Sequence, residues 1–123
     1  MSSAAKLLRI LVVDDEPLIR WSITETLAAA GHQVTDASDA ATAIQAVTEA
    51  PDFDLVLLDF RLPDSNDLGL LKKIRRIAPS ARVVMMTAFG TPDMTAGAIE
   101  LGVSRVLNKP FNMGELEGVV RSL

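Results

Sequence analysis

Several apolar stretches of this chain end abruptly on residues with reactive side chains. Asp14 and Asp15 directly follow the run "LLRILVV", and Asp59 ends the run "LVLLD". Thr87 ends "RVVMMT", and Lys109 lies just beyond "SRVL". A charge at the end of a buried strand is costly unless the fold leaves it in water or employs it. These five residues are therefore the first candidates for a functional site.

The types of these side chains indicate one kind of chemistry. Three carboxylates that share one site repel each other, so the pKa of at least one of them should rise unless a cation is bound. Oxygen ligands without cysteine favour a hard cation, Mg²⁺, for which Mn²⁺ could substitute. Mg²⁺ usually coordinates substrate phosphate as well, which makes phosphoryl transfer the candidate chemistry, because it needs positioned positive charge. Lys109 would supply a second positive charge, and the Thr87 hydroxyl would donate to a phosphoryl oxygen. Asp59, the central carboxylate, is then the expected nucleophile.

Each candidate also has an ordinary structural interpretation. Asp14 and Asp15 alone would more often cap a helix, and Thr87 alone could cap a turn. Lys109 could be a surface lysine, although it follows the last predicted strand. Because each of these residues follows an apolar run, their combination favours the site over the separate structural roles.

Strand and helix patterns alternate along the chain. Apolar runs predict strands over 7–13, 33–36, 54–59, 82–87 and 104–107. Apolar residues at helical spacing predict helices over 17–31, 38–49, 65–77, 91–102 and from 112 onward. The residues predicted to cap three of these helices are Ser38, Thr91 and Asn112.

This alternation predicts an α/β fold with a doubly wound, five-stranded parallel sheet and five helices. Strand–helix–strand units connect through right-handed crossovers, which place helices on both faces of the sheet. In the flavodoxin-like strand order 2-1-3-4-5 the first and third strands are adjacent. Asp14, Asp15 and Asp59 should therefore converge at the carboxyl edge of the sheet, where such folds bind ligands.

The composition limits the class of protein. With 123 residues, 49% of them hydrophobic, the chain can form one domain over 1–123 with a substantial core. It has no cysteine, which excludes disulfides and leaves a cytoplasmic location as the expectation. The net charge of -4 argues against direct nucleic-acid binding. No apolar run is long enough for a membrane span, and the opening "MSSAAKLLRI" is too short and polar for a secretory signal.

Four motifs, in order and at suitable separations, resemble those of the receiver domain of bacterial two-component response regulators. They are "VVDDEP", "LLDFRLPD", "MMTAFG" and "NKPF", and the resemblance covers nearly the whole chain. The stretches "DDEPLIRWSI" and "DFRLPD" are most similar to receivers of NtrC-type transcriptional activators. The resemblance implies a phosphorylation-activated switch, in which Asp59 accepts a phosphoryl group from a partner's phosphohistidine.

The resemblance also implies a particular set of ligands. Asp14 and Asp15 would be the acid pair for Mg²⁺, joined by Asp59 and the backbone carbonyl of Arg61. A cis peptide bond is implied before Pro110, which a bond to proline permits at modest cost.

The implied partners are a sensor histidine kinase or a phosphotransfer protein, and an output domain or protein. A homodimer through the fourth helix, fifth strand and fifth helix is a further expectation, whereas membrane and nucleic-acid contacts are not expected. Phosphorylation would add charge beside Thr87 and Lys109 and move the loops after the fourth and fifth strands. The fourth helix, which contains Gly97, is the expected mobile element.

Two other classes of protein are competing interpretations. An aspartate-nucleophile phosphohydrolase also uses an aspartate at a strand end, but it places a second aspartate two residues later, where this chain has Arg61. A flavin-binding electron carrier would need a phosphate loop rich in glycine and hydroxyl groups after the first strand, where this chain has acids. We therefore expect no turnover of a separate substrate.

Some positions depart from the usual receiver pattern. Val106 stands where receivers often carry an aromatic residue that moves inward on phosphorylation, and Asp67 where many have glycine. The chain therefore lacks the aromatic part of the usual switch, and we expect a different local backbone near Asp67. Arg61 and Phe89 lie two residues beyond Asp59 and Thr87, where large side chains could obstruct water. They predict a slowly hydrolysing phosphoaspartate.

The single histidine and the single tryptophan require separate interpretations. His32 follows Gly31 at the start of the second predicted strand, so it should lie at the wrong end of the sheet and be a plain surface residue. Trp21 falls away from the apolar stripe of its helix. It is either partly exposed over a neighbouring loop or an anchor at a protein interface.

Overall fold

A computed structural model of the chain describes residues 7–88 and 90–123. Within them lie five strands, β1–β5, which span Arg9–Val13, Gln33–Ala37, Leu55–Asp59, Arg82–Thr87 and Arg105–Asn108. The helices α1–α5 span Pro17–Ala29, Ala40–Glu49, Gly69–Ile77, Pro92–Glu100 and Met113–Arg121. Strands and helices alternate in the predicted order.

The strands form one parallel sheet in the order β2-β1-β3-β4-β5. The predicted doubly wound α/β fold and its flavodoxin-like strand order are confirmed. Asp59 at the end of β3 is in register with Met86 of β4, and Thr87 is in register with Asn108 of β5. Because all strands run in one direction, the residues that follow them lie along a single edge of the sheet.

Helices cover both faces of the sheet. Successive strand residues point to opposite faces, so each strand contributes side chains to both layers. Leu11 and Val56 pack on one face with residues of α2, α3 and α4. Val12 and Leu57 pack on the other face with residues of α1 and α5. All four side chains are fully buried. Burial on both faces explains why the central strands are almost continuously apolar, and it makes the sheet a rigid support for its edge.

The start of α2 differs from the predicted one. Strand β2 continues to the buried residue Ala37, one residue beyond the prediction, and this shifts the beginning of the helix. The cap is Asp39, whose side chain accepts a hydrogen bond from the Thr42 backbone N–H at 2.7 Å. The assignment of Ser38 as the cap is therefore wrong.

The start of α3 also lies later than predicted. Backbone groups of Leu62 and Ser65 bond to each other in both directions, at 2.7 and 3.2 Å, and so form a tight turn over 62–65. Asp67 then accepts a hydrogen bond from the Gly69 N–H at 2.8 Å, and the helix begins at Gly69. The expected start within 65–67 is wrong, because the turn includes Ser65 and the Asp67 side chain bonds the Gly69 N–H ahead of the helix.

Two predicted caps are confirmed. The Thr91 hydroxyl accepts a hydrogen bond from the Met94 N–H at 3.1 Å, and the Asn112 side chain accepts one from the Glu115 N–H at 2.7 Å. Each satisfies an N–H group that the first helical turn leaves without a partner inside the helix. The two helices that flank β5 are therefore held at their starts.

His32 lies at the amino end of the sheet, as predicted, but it is not a plain surface residue. It is half-buried, and its Nδ1 accepts a hydrogen bond from the Leu8 N–H at 3.0 Å. Trp21 is 60% exposed on α1. Within the described residues, none of the helices has both the length and the apolar character needed to cross a membrane.

Candidate functional site

The predicted site residues meet at the carboxyl edge of the sheet. Asp14, Asp59 and Thr87 are buried there, with 0%, 5% and 3% of their surface exposed. One carboxylate oxygen each from Asp14, Asp15, Glu16 and Asp59 lies within 4.8 Å of the others. The predicted convergence of the three aspartates is confirmed, and the structure adds a fourth acid, Glu16.

Lys109 completes this acidic cluster from the end of β5. Its Nζ lies 2.9 Å from Asp14, 3.0 Å from Glu16 and 3.1 Å from Asp59. One ammonium group therefore contacts three carboxylates, two of them buried. The cluster still has more negative than positive groups, which favours a further cation.

Glu16 is a site residue that the sequence argument missed. It was visible as the third acid in "DDEP", directly before the proline that opens α1. An acid at the start of a helix is common, because the helix dipole favours negative charge there, so its residue type alone does not indicate a site. Only the contact with Lys109 shows that its carboxylate turns towards the sheet edge.

Arg20 also escaped the sequence argument, and it holds the turn between β1 and α1. Its Nη1 donates to the backbone carbonyl of Asp14 at 2.8 Å, and its Nε pairs with Asp36 at 3.0 Å. The Asp14 N–H donates to the Ala37 carbonyl at 3.1 Å, and the Asp14 carboxylate accepts from the Glu16 N–H at 2.9 Å. Asp14 is thus fixed from its backbone and its side chain before any ligand arrives.

The loop that follows Asp59 is attached to the neighbouring strand. The Phe60 N–H donates to the Met86 carbonyl at 2.9 Å, and the Arg61 N–H donates to the Asp59 carboxylate at 3.3 Å. On the other side, the Lys109 N–H donates to the Thr87 carbonyl at 2.8 Å. The expected cis peptide between Lys109 and Pro110 is confirmed.

A cavity of about 570 Å³ opens onto this cluster. Its walls come from the turn after β1 and from the loops after β3, β4 and β5. Among the lining residues are Asp15, Glu16, Asp59, Arg61, Thr87 and Lys109. Phe89, to which a role in phosphoryl lifetime was assigned, lies outside the described residues.

The surroundings of Asp59 make its negative charge unfavourable. Burial, and then repulsion by Asp14, raise the pKa of Asp59 to about 6, although the attraction of Lys109 acts in the opposite direction. Burial alone would lower the pKa of Lys109, but its hydrogen bonds to Asp14 and Glu16 and the attraction of Asp59 raise that pKa above its ordinary value. The expectation that a carboxylate of the cluster has a raised pKa is confirmed.

Folding stability should therefore fall as Asp59 loses its proton. Because the pKa of Asp59 is higher in the folded chain than the ordinary 3.8, this group favours folding below about pH 4, and the advantage is lost as pH rises through about 6. Urea unfolding in EDTA should show Asp59→Asn to be more stable than wild type by about 3 kcal/mol near pH 8. The difference should shrink towards pH 4.

Glu25→Gln is the matched control, since Glu25 is an exposed carboxylate on α1 away from the cluster. Its difference from wild type should stay small over the same pH range. A difference between wild type and Asp59→Asn that does not change with pH would contradict the assigned cause.

The acidic cluster has the composition of a site for a divalent cation. Asp14, Asp15 and Asp59 offer oxygen atoms only, and these lie close enough together to bind one ion. Hard cations such as Mg²⁺, Mn²⁺ and Ca²⁺ prefer such ligands. The residues present therefore fit a divalent metal, and Lys109 contacts two of the same carboxylates.

Comparison with known proteins agrees with this geometry. The family model described as the response regulator receiver domain matches residues 10–121. The chain therefore belongs to the receiver domain family of response regulators. Since the model covers nearly all of the described chain, the resemblance noted in the sequence motifs is confirmed.

Individual relatives include both long and short proteins. The chain is 38% identical over 111 residues to the DNA-binding transcriptional regulator NtrC of Azospirillum brasilense. This alignment covers 90% of this chain but 23% of that protein. It is 37% identical over 114 residues to sporulation initiation phosphotransferase F of Bacillus subtilis, covering 92% and 90%. The chain thus spans about a quarter of the first relative and most of the second.

Solved structures share the fold. A CheY-like receiver domain protein from Methanospirillum hungatei superposes with a TM-score of 0.87 at 29% identity, covering 95% of this chain and 93% of that one. NtrX from Brucella abortus, solved in complex with ATP, gives a TM-score of 0.85 at 34% identity, covering 95% and 27%. The predicted likeness to NtrC-type regulators is confirmed by the similarity to NtrC.

Proposed function

We propose that this domain is a phosphorylation-activated switch whose phosphoacceptor is Asp59. A carboxylate oxygen of Asp59 would form a bond to phosphorus while the bond from phosphorus to a partner's histidine nitrogen breaks, and the leaving imidazole keeps the electron pair. The observation that carries the proposal is the contact of Lys109 Nζ with both Asp14 and Asp59 at the mouth of the cavity.

The metal in this proposal is Mg²⁺. Asp14, Asp15, Asp59 and the backbone carbonyl of Arg61 would hold it, and when bound it supplies positive charge to the transferred phosphoryl group. Lys109 would turn from the carboxylates to a phosphoryl oxygen as the new negative charge develops. Support comes from the all-oxygen cluster and from the position of Arg61 on the cavity wall.

Thr87 would report the phosphoryl group to the rest of the domain. Its side chain lies at the buried end of β4, beside the cavity, and its carbonyl accepts a hydrogen bond from the Lys109 N–H. A hydroxyl that moves towards a phosphoryl oxygen would shift the loop before α4.

A Cβ added at Gly97 of α4 would lie only 2.9 Å from a methyl carbon of Leu68, so α4 packs closely on the loop after β3. Slow hydrolysis of the phosphoaspartate stays a prediction.

The partner that donates the phosphoryl group needs a surface beside Asp59. A second, largely apolar cavity of about 590 Å³ shares Glu16, Ala88 and Lys109 with the first. Leu18 on α1 lines it and is 74% exposed. We propose that the histidine-bearing partner, a kinase or phosphotransfer protein, docks on this surface, because continuity with the site brings its histidine to Asp59.

The homodimer through α4, β5 and α5 stays a prediction.

The observations favour a switch over a phosphohydrolase. The position two residues beyond Asp59, where such an enzyme places a second acid, carries Arg61. The proteins described above as similar are receivers, regulators and a phosphotransferase. A single acceptance of a phosphoryl group, rather than repeated hydrolysis, is therefore the proposed activity.

The test is to incubate the wild-type domain with acetyl phosphate. With Mg²⁺ we expect one phosphoryl group per chain by intact-mass spectrometry, labile to hydroxylamine as an acyl phosphate is. With EDTA in place of Mg²⁺ no adduct should form. Continuous release of inorganic phosphate at many equivalents per minute, without a lasting adduct, would support the phosphohydrolase and contradict the switch.

A further inference from the structure

Residues 60–68 form the loop after β3, and we name it the acceptor loop. The carboxylate of Asp64 ties this loop to the start of α2, the helix that follows β2. Asp64 accepts hydrogen bonds from the backbone N–H groups of Ala40 at 2.7 Å and of Ala41 at 3.1 Å. These N–H groups open α2, where the helix itself provides no acceptors and the helix dipole favours negative charge. Asp64 therefore joins the acceptor loop to the start of α2.

These bonds add to the capping of α2 and also hold the acceptor loop. Helix α2 already has a cap of its own, since Asp39 accepts the hydrogen bond of the Thr42 N–H at 2.7 Å. The two bonds made by Asp64 come from a distant part of the chain. They attach the acceptor loop to a helix packed against the sheet.

A short turn closed by two backbone hydrogen bonds connects this attachment to the site. Leu62 is buried, and its backbone groups bond to those of Ser65, which directly follows Asp64. Arg61 directly precedes this turn and lines the cavity. On its other side, the Phe60 N–H is bonded to β4. Arg61 is thus held between one attachment to the sheet and one attachment to α2.

We propose that Asp64 is a positioning residue for the metal site. By tying the acceptor loop to α2, it holds the backbone carbonyl of Arg61 where a bound Mg²⁺ requires a ligand. The inference rests on the proposed function, in which that carbonyl is a ligand. Mg²⁺ demands nearly ideal octahedral geometry, so a small displacement of one ligand lowers its affinity.

The test compares Asp64→Ala with Asp39→Ala. Each variant removes a carboxylate from the start of α2, so both should lower the melting temperature by a similar amount. Isothermal titration of the metal-free domain with MgCl₂ should give a Kd at least about tenfold weaker for Asp64→Ala, as for other supporting residues of metal sites. Asp39→Ala should bind Mg²⁺ like wild type.

The outcomes separate this inference from the proposed function. If the wild-type domain shows no Mg²⁺ binding, both are overturned. If wild type binds Mg²⁺ and Asp64→Ala binds it equally well, only the inference fails. Equal weakening in both variants would show a general effect of destabilising α2 and would also overturn it. If Asp64→Ala does not fold, Asp64→Asn takes its place, with a smaller weakening expected because its amide oxygen can keep one bond.

Discussion

Asp59→Asn is expected to carry no phosphoryl group after incubation with acetyl phosphate and Mg²⁺, under conditions that phosphorylate the wild-type domain. An amide oxygen is uncharged and a poor nucleophile, and no other carboxylate of the cluster ends a strand as Asp59 does. Because Asp59→Asn also relieves an unfavourable charge, the variant should be well folded. Loss of the adduct would then report chemistry rather than unfolding. Intact-mass spectrometry measures it directly.

Asp54→Asn provides the matched control at the opposite end of the same strand. Asp54 directly precedes β3, and its carboxylate accepts a hydrogen bond from the Arg9 N–H at 2.8 Å, which an amide oxygen can also accept. This variant should be phosphorylated at the wild-type rate. An adduct on Asp59→Asn that maps to Asp14 or Asp15 would contradict the assignment of the acceptor.

Lys109→Gln is expected to slow phosphorylation by about 100- to 1000-fold, which is the usual cost of losing one group that stabilises transition-state charge. The positive side chain of Lys109 lies next to Asp59, with its Nζ 3.1 Å from the Asp59 carboxylate. Initial rates of adduct formation at saturating Mg²⁺ would measure the effect. Lys109→Arg keeps the charge but changes its geometry, so it should recover only part of the rate.

The same variant should bind Mg²⁺ more tightly than wild type. Lys109 contacts Asp14, Glu16 and Asp59, so its removal leaves carboxylates without their cation and open to the metal. Slower transfer together with tighter metal binding is a combination that misfolding would not produce. Lys72→Gln, at an exposed position on α3, should change neither quantity. A Lys109→Gln protein that loses Mg²⁺ binding would contradict the proposed arrangement.

The order of elements and the class of fold could be predicted from the sequence because their signals are local. Apolar runs ending on polar residues mark parallel strands buried on both faces, and Thr91 and Asn112 sit at the cap positions that the structure uses. The convergence of Asp14 and Asp59 followed from strand order alone, since the carboxyl ends of parallel strands share one edge. The receiver resemblance was carried by the same residues.

The remaining features depended on one-residue details of the backbone. Strand β2 runs one residue further than its pattern indicates, and Asp39 rather than Ser38 therefore caps α2. His32 shows the same limit, because a single histidine looks the same in sequence whether it faces water or accepts the Leu8 N–H. Local patterns do not encode which of two neighbouring residues meets a given partner.

The sequence by itself determined the fold, the edge of the sheet that carries the site and the main acids at that edge. Only the tertiary structure decided which further groups support them. Glu16 contacts Lys109, Arg20 donates to the Asp14 carbonyl, and Asp64 accepts from the backbone at the start of α2. The physical reason is that two of these contacts join residues far apart in the chain, and the third spans the turn between β1 and α1. Their existence depends on how helices and loops dock across the sheet, to within the reach of one hydrogen bond.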